Sequence, residues 1–271
     1  MSLDIQAKES YRELLNFLRF FKHSGTPTII GGWAVFLYNP YQGSVDIDVV
    51  GPSMGSTFKS IIDRYVVSNG YDLEPLDALG LSVTPIKRVR DKRGNIVAEI
   101  ELDVATFEDL AASKFHENSD KGLPYGLCWE TVNRREVHLE DCAFYIPSKT
   151  LLFLFKVKAL RDRIYDLATK GPTMSARRVS WLRRKALKDK TDLLALFDED
   201  PPRKPVVTEA IDSEIMGSII GAHRLEFIIQ SIEELAQDAQ ALAIYQHYNP
   251  RLDEKKVRDS IQIILHGSKK R

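Results

Sequence analysis

Ile29 to Val50 reads IIGGWAVFLYNPYQGSVDIDVV, and the order of residue types in it decides the fold. Thr28-Ile29-Ile30 reads as a short strand running into Gly31-Gly32. A helical turn through Trp33, Ala34, Phe36 and Leu37 follows, and Asn39-Pro40 breaks it. Gly43-Ser44 then introduces Val45-Asp46-Ile47-Asp48-Val49-Val50, where apolar and acidic residues alternate as on a half-buried strand until Gly51-Pro52 stops it. Side chains two apart on a strand share a face, which predicts that Asp46 and Asp48 stand together. Two carboxylates so placed repel each other unless a cation is present, and the arrangement suits Mg²⁺ or Mn²⁺.

On the N-terminal side, Tyr11, Leu14, Leu15, Leu18 and Phe21 fall at helical spacing from Ile5 to about His23, and Ser24-Gly25 ends the run. On the C-terminal side, residues 56–69 suit a helix with Phe58, Ile61, Ile62 and Tyr65 on one side. Two extended stretches, Leu81 to Val89 and Ile96 to Phe107, are joined by the charged turn Asp91-Lys92-Arg93-Gly94-Asn95, as in a hairpin. Ile100, Leu102 and Val104 alternate with Glu101 and Asp103, which turns Asp103 away from the apolar face. A last extended piece, Glu136 to Ile146, ends at Pro147-Ser148. From there the pattern is helical almost to the end, apart from Pro201-Pro202-Arg203-Lys204-Pro205. A domain change is expected near residue 148, dividing 1–147 from 148–271, with a linker at 199–207.

The bulk numbers fit this reading. A chain of 271 residues, 44% of them apolar, can bury a core unaided. Its 38 basic and 38 acidic side chains cancel, so no global field draws it to nucleic acid or to an anionic membrane. Two cysteines, Cys128 and Cys142, are too few for a disulfide framework. No stretch approaches the roughly 20 apolar residues of a membrane span, and a cytoplasmic location is expected. The six histidines are scattered, with no pair at metal-ligand spacing.

The chemistry gathers around the acidic strand. Asp103, from a neighbouring strand, would join Asp46 and Asp48 in an oxygen-rich site able to hold two divalent ions and to carry out in-line phosphoryl or nucleotidyl transfer. Gly31, Gly32, Gly43 and Ser44 are small residues flanking the place where a triphosphate would lie, where backbone N–H groups and the Ser44 hydroxyl can donate to phosphate oxygens. By itself a D-x-D is more often an exposed strand face or a turn than a catalytic pair. Read as one string, G-G-W-A at Gly31 to Ala34 and G-S-V-D-I-D at Gly43 to Asp48, the segment resembles the signature of the DNA polymerase beta-like nucleotidyltransferase superfamily.

Two later motifs narrow the resemblance. Lys156-Val157-Lys158-Ala159-Leu160-Arg161-Asp162-Arg163 and Lys188-Asp189-Lys190-Thr191-Asp192-Leu193 are similar to the K-x-x-A-L-x-x-R and K-D-x-x-D-L motifs of AbiEii-type nucleotidyltransferase toxins. The likeness spans roughly residues 29–196. It implies an α+β fold, a nucleotidyltransferase-type mixed β-sheet flanked by helices with a mainly helical C-terminal domain. It also implies an NTP substrate, tRNA as acceptor and an antitoxin as protein partner. Gln42-Gly43-Ser44-Val45 stands where many such toxins carry an arginine. A small hydroxylated acceptor such as an aminoglycoside, or a noncatalytic nucleotide- or RNA-binding module, therefore stays open beside the RNA acceptor.

Lys156 and Arg163 are seven apart, about two helical turns, so both can present fixed cations to nucleotide phosphates. Asp189 is a further nucleotide-site candidate and Asp192 a lesser one, since Lys188 and Asp192 at four apart can equally brace a helix. Arg177, Arg178, Arg183, Arg184, Lys185, Lys188 and Lys190, interrupted by Trp181, form a basic run that fits either an RNA backbone or a solvated helix face.

Overall fold

The computed structural model describes residues 4–22, 27–52, 57–75 and 83–268. The expected helix end at Ser24-Gly25, His23, and the start of the extended stretch at Leu81 lie outside the described residues.

Helix α1 (Ile5–Phe21) starts where the Asp4 carboxylate accepts from the Ala7 N–H at 2.7 Å, a side-chain cap for one of the free first-turn amides. Strand β1 (Thr28–Ile29) leads into α2 (Gly31–Tyr38), and β2 (Ile47–Gly51) follows. After α3 (Thr57–Ser68) come β3 (Asp72–Pro75), β4 (Val83–Arg90) and β5 (Ile96–Thr106). Next are α4 (Leu110–Ser113) and a hairpin of β6 (Lys114–Phe115) and β7 (Asn118–Gly122), then β8 (Arg134–Leu139) and β9 (Cys142–Pro147). The rest is helical: α5 (Lys149–Thr169), α6 (Ala176–Phe197), α7 (Ser213–His223), α8 (Ile229–Leu235), α9 (Ala239–Tyr248) and α10 (Glu254–Ser268). This is the α+β class read from the sequence, a mixed sheet with helices and a mainly helical C-terminal region.

The chain divides into two compact units. One comprises Met1–Phe36, Gln42–Asp109 and Tyr125–Pro147, and the other Leu37–Tyr41, Leu110–Pro124 and Ser148–Arg271. The first holds the main sheet, in the order β3-β4-β5-β2-β1-β9-β8. Strands β2 and β5 run parallel, as do β1 and β9, while β1 and β2 run antiparallel. Buried Ile47, Val49, Ala98, Ile100, Leu102, Phe144 and Ile146 form the apolar face, and α1 packs on β5 and β9.

Two extended segments differ from their expected form. Glu136 to Ile146 is two antiparallel strands, β8 and β9, turning at Glu140, whose φ is +53°. No Gly, Pro or Asn marks this turn. Arg19 supplies the missing stabilisation, donating to Glu140 at 2.6 Å and to Asp141 at 3.1 Å. The strand expected from Val45 begins only at Ile47, so Asp46 lies in the bend before it. Segment 199–207 belongs to the second unit, where the Val206 and Val207 N–H groups both donate to the Leu37 carbonyl.

The core of the first unit encloses one carboxylate. Glu13 on α1, 3% exposed, accepts from the Tyr65 hydroxyl at 2.6 Å, the Tyr71 hydroxyl at 2.9 Å and the Lys87 ammonium at 2.6 Å. Burial, together with the Glu13 charge, pushes both tyrosine hydroxyls well above their ordinary range. Removing one member of such a set strands its partners without water. Glu13→Ala should therefore lower the unfolding free energy by roughly 3 kcal/mol in urea titration, while an exposed-pair control such as Lys59→Ala should change it by less than about 1 kcal/mol.

Candidate active site

The acidic strand and its parallel neighbour place the site. In the β2–β5 ladder Asp48 is the register partner of Asp103, so the two side chains leave the same face of adjacent strands about 4.8 Å apart. Ile47 and Leu102, the preceding pair, are buried beneath the sheet. The alternation expected from the sequence is thus realised: Asp48 is half-buried and Asp103 exposed. Asp46 is half-buried in the bend leading into β2. Among the described residues no group of three or more His, Cys, Asp or Glu side chains stands in the arrangement of a formed metal site. What the register fixes is the Asp48–Asp103 pair.

Gly31 explains the first glycine. It adopts φ +65°, and a Cβ added there would lie 1.8 Å from Oδ2 of Asp48 and 2.5 Å from its Cγ. The Asp48 carboxylate therefore fills the space any other residue would need. Ile30 N–H also donates to the Asp48 carbonyl at 3.0 Å. The first turn of α2 is thereby held against the acidic strand, and its unpaired amides carry the partial positive charge that favours an anion. Gly32, Gly43 and Ser44 are buried.

Tyr125 belongs to this neighbourhood and was not singled out from the sequence. Burial raises its hydroxyl pKa first, and the charges of Asp48 and Asp109, then Cys128 and Asp103, raise it further. A neutral phenol thus lies within the field of the carboxylate pair. The available signal was Pro124-Tyr125-Gly126, an aromatic residue between two turn formers. Gly126 is itself tight, a Cβ there lying 3.3 Å from the Phe107 carbonyl. Next to it, Phe107 meets Trp129 at 5.1 Å.

In the second unit a different set of candidates converges. Ser148 caps α5, accepting from the Leu151 N–H at 3.3 Å. Two turns apart on that helix, Lys156 and Arg163 both reach Asp189 of α6, Lys156 at 3.3 Å. Lys156 also pairs with Asp192 at 2.7 Å, and Lys188 holds both oxygens of that carboxylate at 2.9 and 3.0 Å. The Tyr41 hydroxyl donates to Asp192 as well, and lies 3.2 Å from that of Thr191. Asp189 is 3% exposed and Asp192 fully buried. Lys156 and Arg163 are therefore members of an ion cluster, and Asp192, the lesser candidate in sequence, is its most connected member. Lys156, Arg163 and Lys188 thus meet the carboxylates of Asp189 and Asp192. The basic run lies on α6: Arg177, Arg178, Arg183 and Arg184 are exposed, and Arg178 and Lys185 sit over the Trp181 ring at 4.1 and 5.4 Å.

Comparison with known proteins gives no match to a family model and none to a curated protein. Among solved structures, the chain is similar to an antigenic nucleotidyltransferase-like protein from Paracoccidioides brasiliensis, at 14% identity and TM-score 0.44, over 95% of this chain and 94% of that one. It is also similar to JHP933 from Helicobacter pylori, at 12% identity and TM-score 0.39, over 99% of this chain and 94% of that one. No helix among the described residues is long and apolar enough to cross a membrane.

The ion cluster makes stability depend on pH. Burial alone would raise the Asp192 pKa, but Lys156 and Lys188, with the Tyr41 hydroxyl, reverse this and lower it to about 2 from 3.8. A depressed carboxylate stabilises the fold above its unfolded pKa, and that contribution disappears as pH falls through the folded value. Asp192 should accordingly contribute about 2 kcal/mol at pH 5 that is lost between about pH 4 and pH 2. In urea titrations, the advantage of the native chain over Asp192→Asn should shrink by that amount across this window.

Proposed function

We propose that the protein is a metal-dependent nucleotidyltransferase that moves a nucleoside monophosphate from an NTP to an acceptor. The observation that carries this reading is the close seat of the Asp48 carboxylate on Gly31, in register with Asp103. A glycine required by contact with an acidic side chain, at the start of a helix whose amides favour anions, suits an arrangement that brings phosphates to a carboxylate pair.

Oxygen-only ligands on adjacent strands fit Mg²⁺ or Mn²⁺. Asp48 and Asp103 would hold the ion, with Asp46 as third ligand, and the ion would supply charge neutralisation at the transferring phosphate. The chain's own residues do the rest. The acceptor oxygen attacks the α-phosphorus, the bond to the α–β bridging oxygen breaks, and pyrophosphate leaves with that electron pair. Asp103, the more exposed carboxylate, takes the acceptor's proton. Gly31, Gly32 and Gly43 offer backbone amides to phosphate oxygens, and Ser44 its hydroxyl. The family resemblance gives Lys156 and Arg163 the phosphates as partners, and within the second unit Asp189 and Asp192 hold those two cations in place. As acceptor we favour RNA, tRNA in particular, on the exposed Arg177, Arg183 and Arg184, which can neutralise its phosphate backbone.

The test is transfer of label from each α-³²P-NTP, with Mg²⁺, into total RNA and, in parallel, into an aminoglycoside panel. Label should enter RNA, and Asp48→Asn or Asp103→Asn should reduce incorporation by roughly 10³-fold while the circular dichroism spectrum is kept. Gly31→Ala should lose activity comparably, because its methyl group displaces the Asp48 carboxylate. Full transfer by Asp48→Asn would remove the assignment, and label entering the aminoglycosides instead would replace the acceptor.

A further inference from the structure

The second unit contains a cavity of about 330 Å³ that shares no residue with the groups assigned above. Its walls come from α2, the start of α5, the end of α6, the segment 198–211 and α10. Phe197, Val207, Ile211 and Ile264 make much of the wall apolar. The volume lies at the small end of the range for ligand pockets, roughly 300–1,000 Å³.

The carboxylates of Glu209 and Asp198 in that wall are already engaged, and one lysine is the exception. Glu209 accepts from the Tyr38 hydroxyl at 2.9 Å and from the Lys149 backbone N–H at 3.1 Å. Asp198 accepts from the Tyr245 hydroxyl at 2.6 Å, the side-chain amide of Asn249 at 2.7 Å and the Asp200 N–H at 3.0 Å. The exception is the Lys149 side chain. Lys149 is 7% exposed and lines the cavity, yet among the described residues its ammonium makes no hydrogen bond and no ion pair. Burial pushes its pKa down, and the more distant charges of Glu209, Asp198 and Glu199 only partly oppose that. The stem is buried and the ammonium faces the cavity, so a ligand acceptor placed there can take a charge-assisted hydrogen bond.

We propose that this cavity binds a small, uncharged, mainly apolar molecule that presents one hydrogen-bond acceptor to the Lys149 ammonium. The neutral class follows from the charges around the cavity. Three carboxylates within electrostatic range of Lys149 repel an anion, and a cation would lose its hydration against the apolar wall. The apolar walls reward aromatic or aliphatic surface. A carbonyl on such a body meets the one unmet requirement of the site.

Three compounds of similar shape separate these requirements: acetophenone carries a neutral acceptor, ethylbenzene carries none, and benzoate carries a charged one. Binding of each to the full chain can be followed by saturation-transfer NMR, with dissociation constants from titration. Acetophenone should bind roughly tenfold more tightly than ethylbenzene and than benzoate, the worth of one charge-assisted hydrogen bond. In Lys149→Met the gap between acetophenone and ethylbenzene should close. That variant removes a charge that burial disfavours and should unfold no earlier than the native chain. Ala210→Trp, placed at an exposed position on the cavity wall, should block all three compounds. Equal affinity for acetophenone and ethylbenzene, tightest binding of benzoate, binding unaffected by Ala210→Trp, or no saturable binding at all would each overturn the proposal. None of these readouts depends on nucleotidyl transfer.

Discussion

Asp48 occupies the space in which a side chain at position 31 would stand. That single contact ties together the turn from β1 into α2, the acidic strand and the first amides of the helix. A glycine is demanded twice over, by the +65° φ and by the 1.8 Å approach, so neither the backbone turn nor the carboxylate can shift without the other. The parallel pairing of β2 with β5 then delivers Asp103 beside Asp48, and the buried pair Ile47 and Leu102 locks the register from the opposite face. A one-residue slip of either strand would exchange acidic and apolar faces, so the apolar core and the carboxylate pair specify the same alignment.

The ion cluster of the second unit follows a related logic. Buried charges persist only when paired and hydrogen-bonded, and Asp192 meets that condition with Lys156, Lys188 and Tyr41 around it. Long cationic side chains fixed in this way lose the entropy that a free lysine would give up on meeting a phosphate. The cavity at Lys149 differs in kind: there the ammonium of a lysine with a buried stem faces mainly apolar walls within range of three carboxylates.

Much of this was legible in the sequence where local pattern and tertiary outcome coincide. The alternation through Asp48 and through Asp103 matched the face on which the two carboxylates stand, the spacing of Lys156 and Arg163 matched their common partner, and Gly31-Gly32 marked the turn. The remainder depended on contacts between distant residues. The β8–β9 hairpin turns on Glu140 because Arg19, 121 positions away, holds it, and no turn-forming residue announces it. Asp46 falls just outside the strand because pairing with the neighbouring strands begins at Ile47, which alternation alone does not reveal. Tyr125 enters the field of the carboxylates through a segment with no periodicity, and the pairing of Lys156 and Arg163 with Asp189 required the packing of α5 on α6.

The central claim, that Asp48 and Asp103 form a divalent-cation site for a nucleotide, is tested most directly by Mn²⁺ binding. Electron paramagnetic resonance can count the ions bound in the presence of a non-hydrolysable NTP analogue, for the native chain and for Asp103→Asn. Nucleotide-dependent Mn²⁺ binding that is at least tenfold weaker in the variant is the expected result, in line with the loss of one ligand from such a site. Mn²⁺ binding equally strong in Asp103→Asn, or absent from the native chain with nucleotide present, would contradict the account.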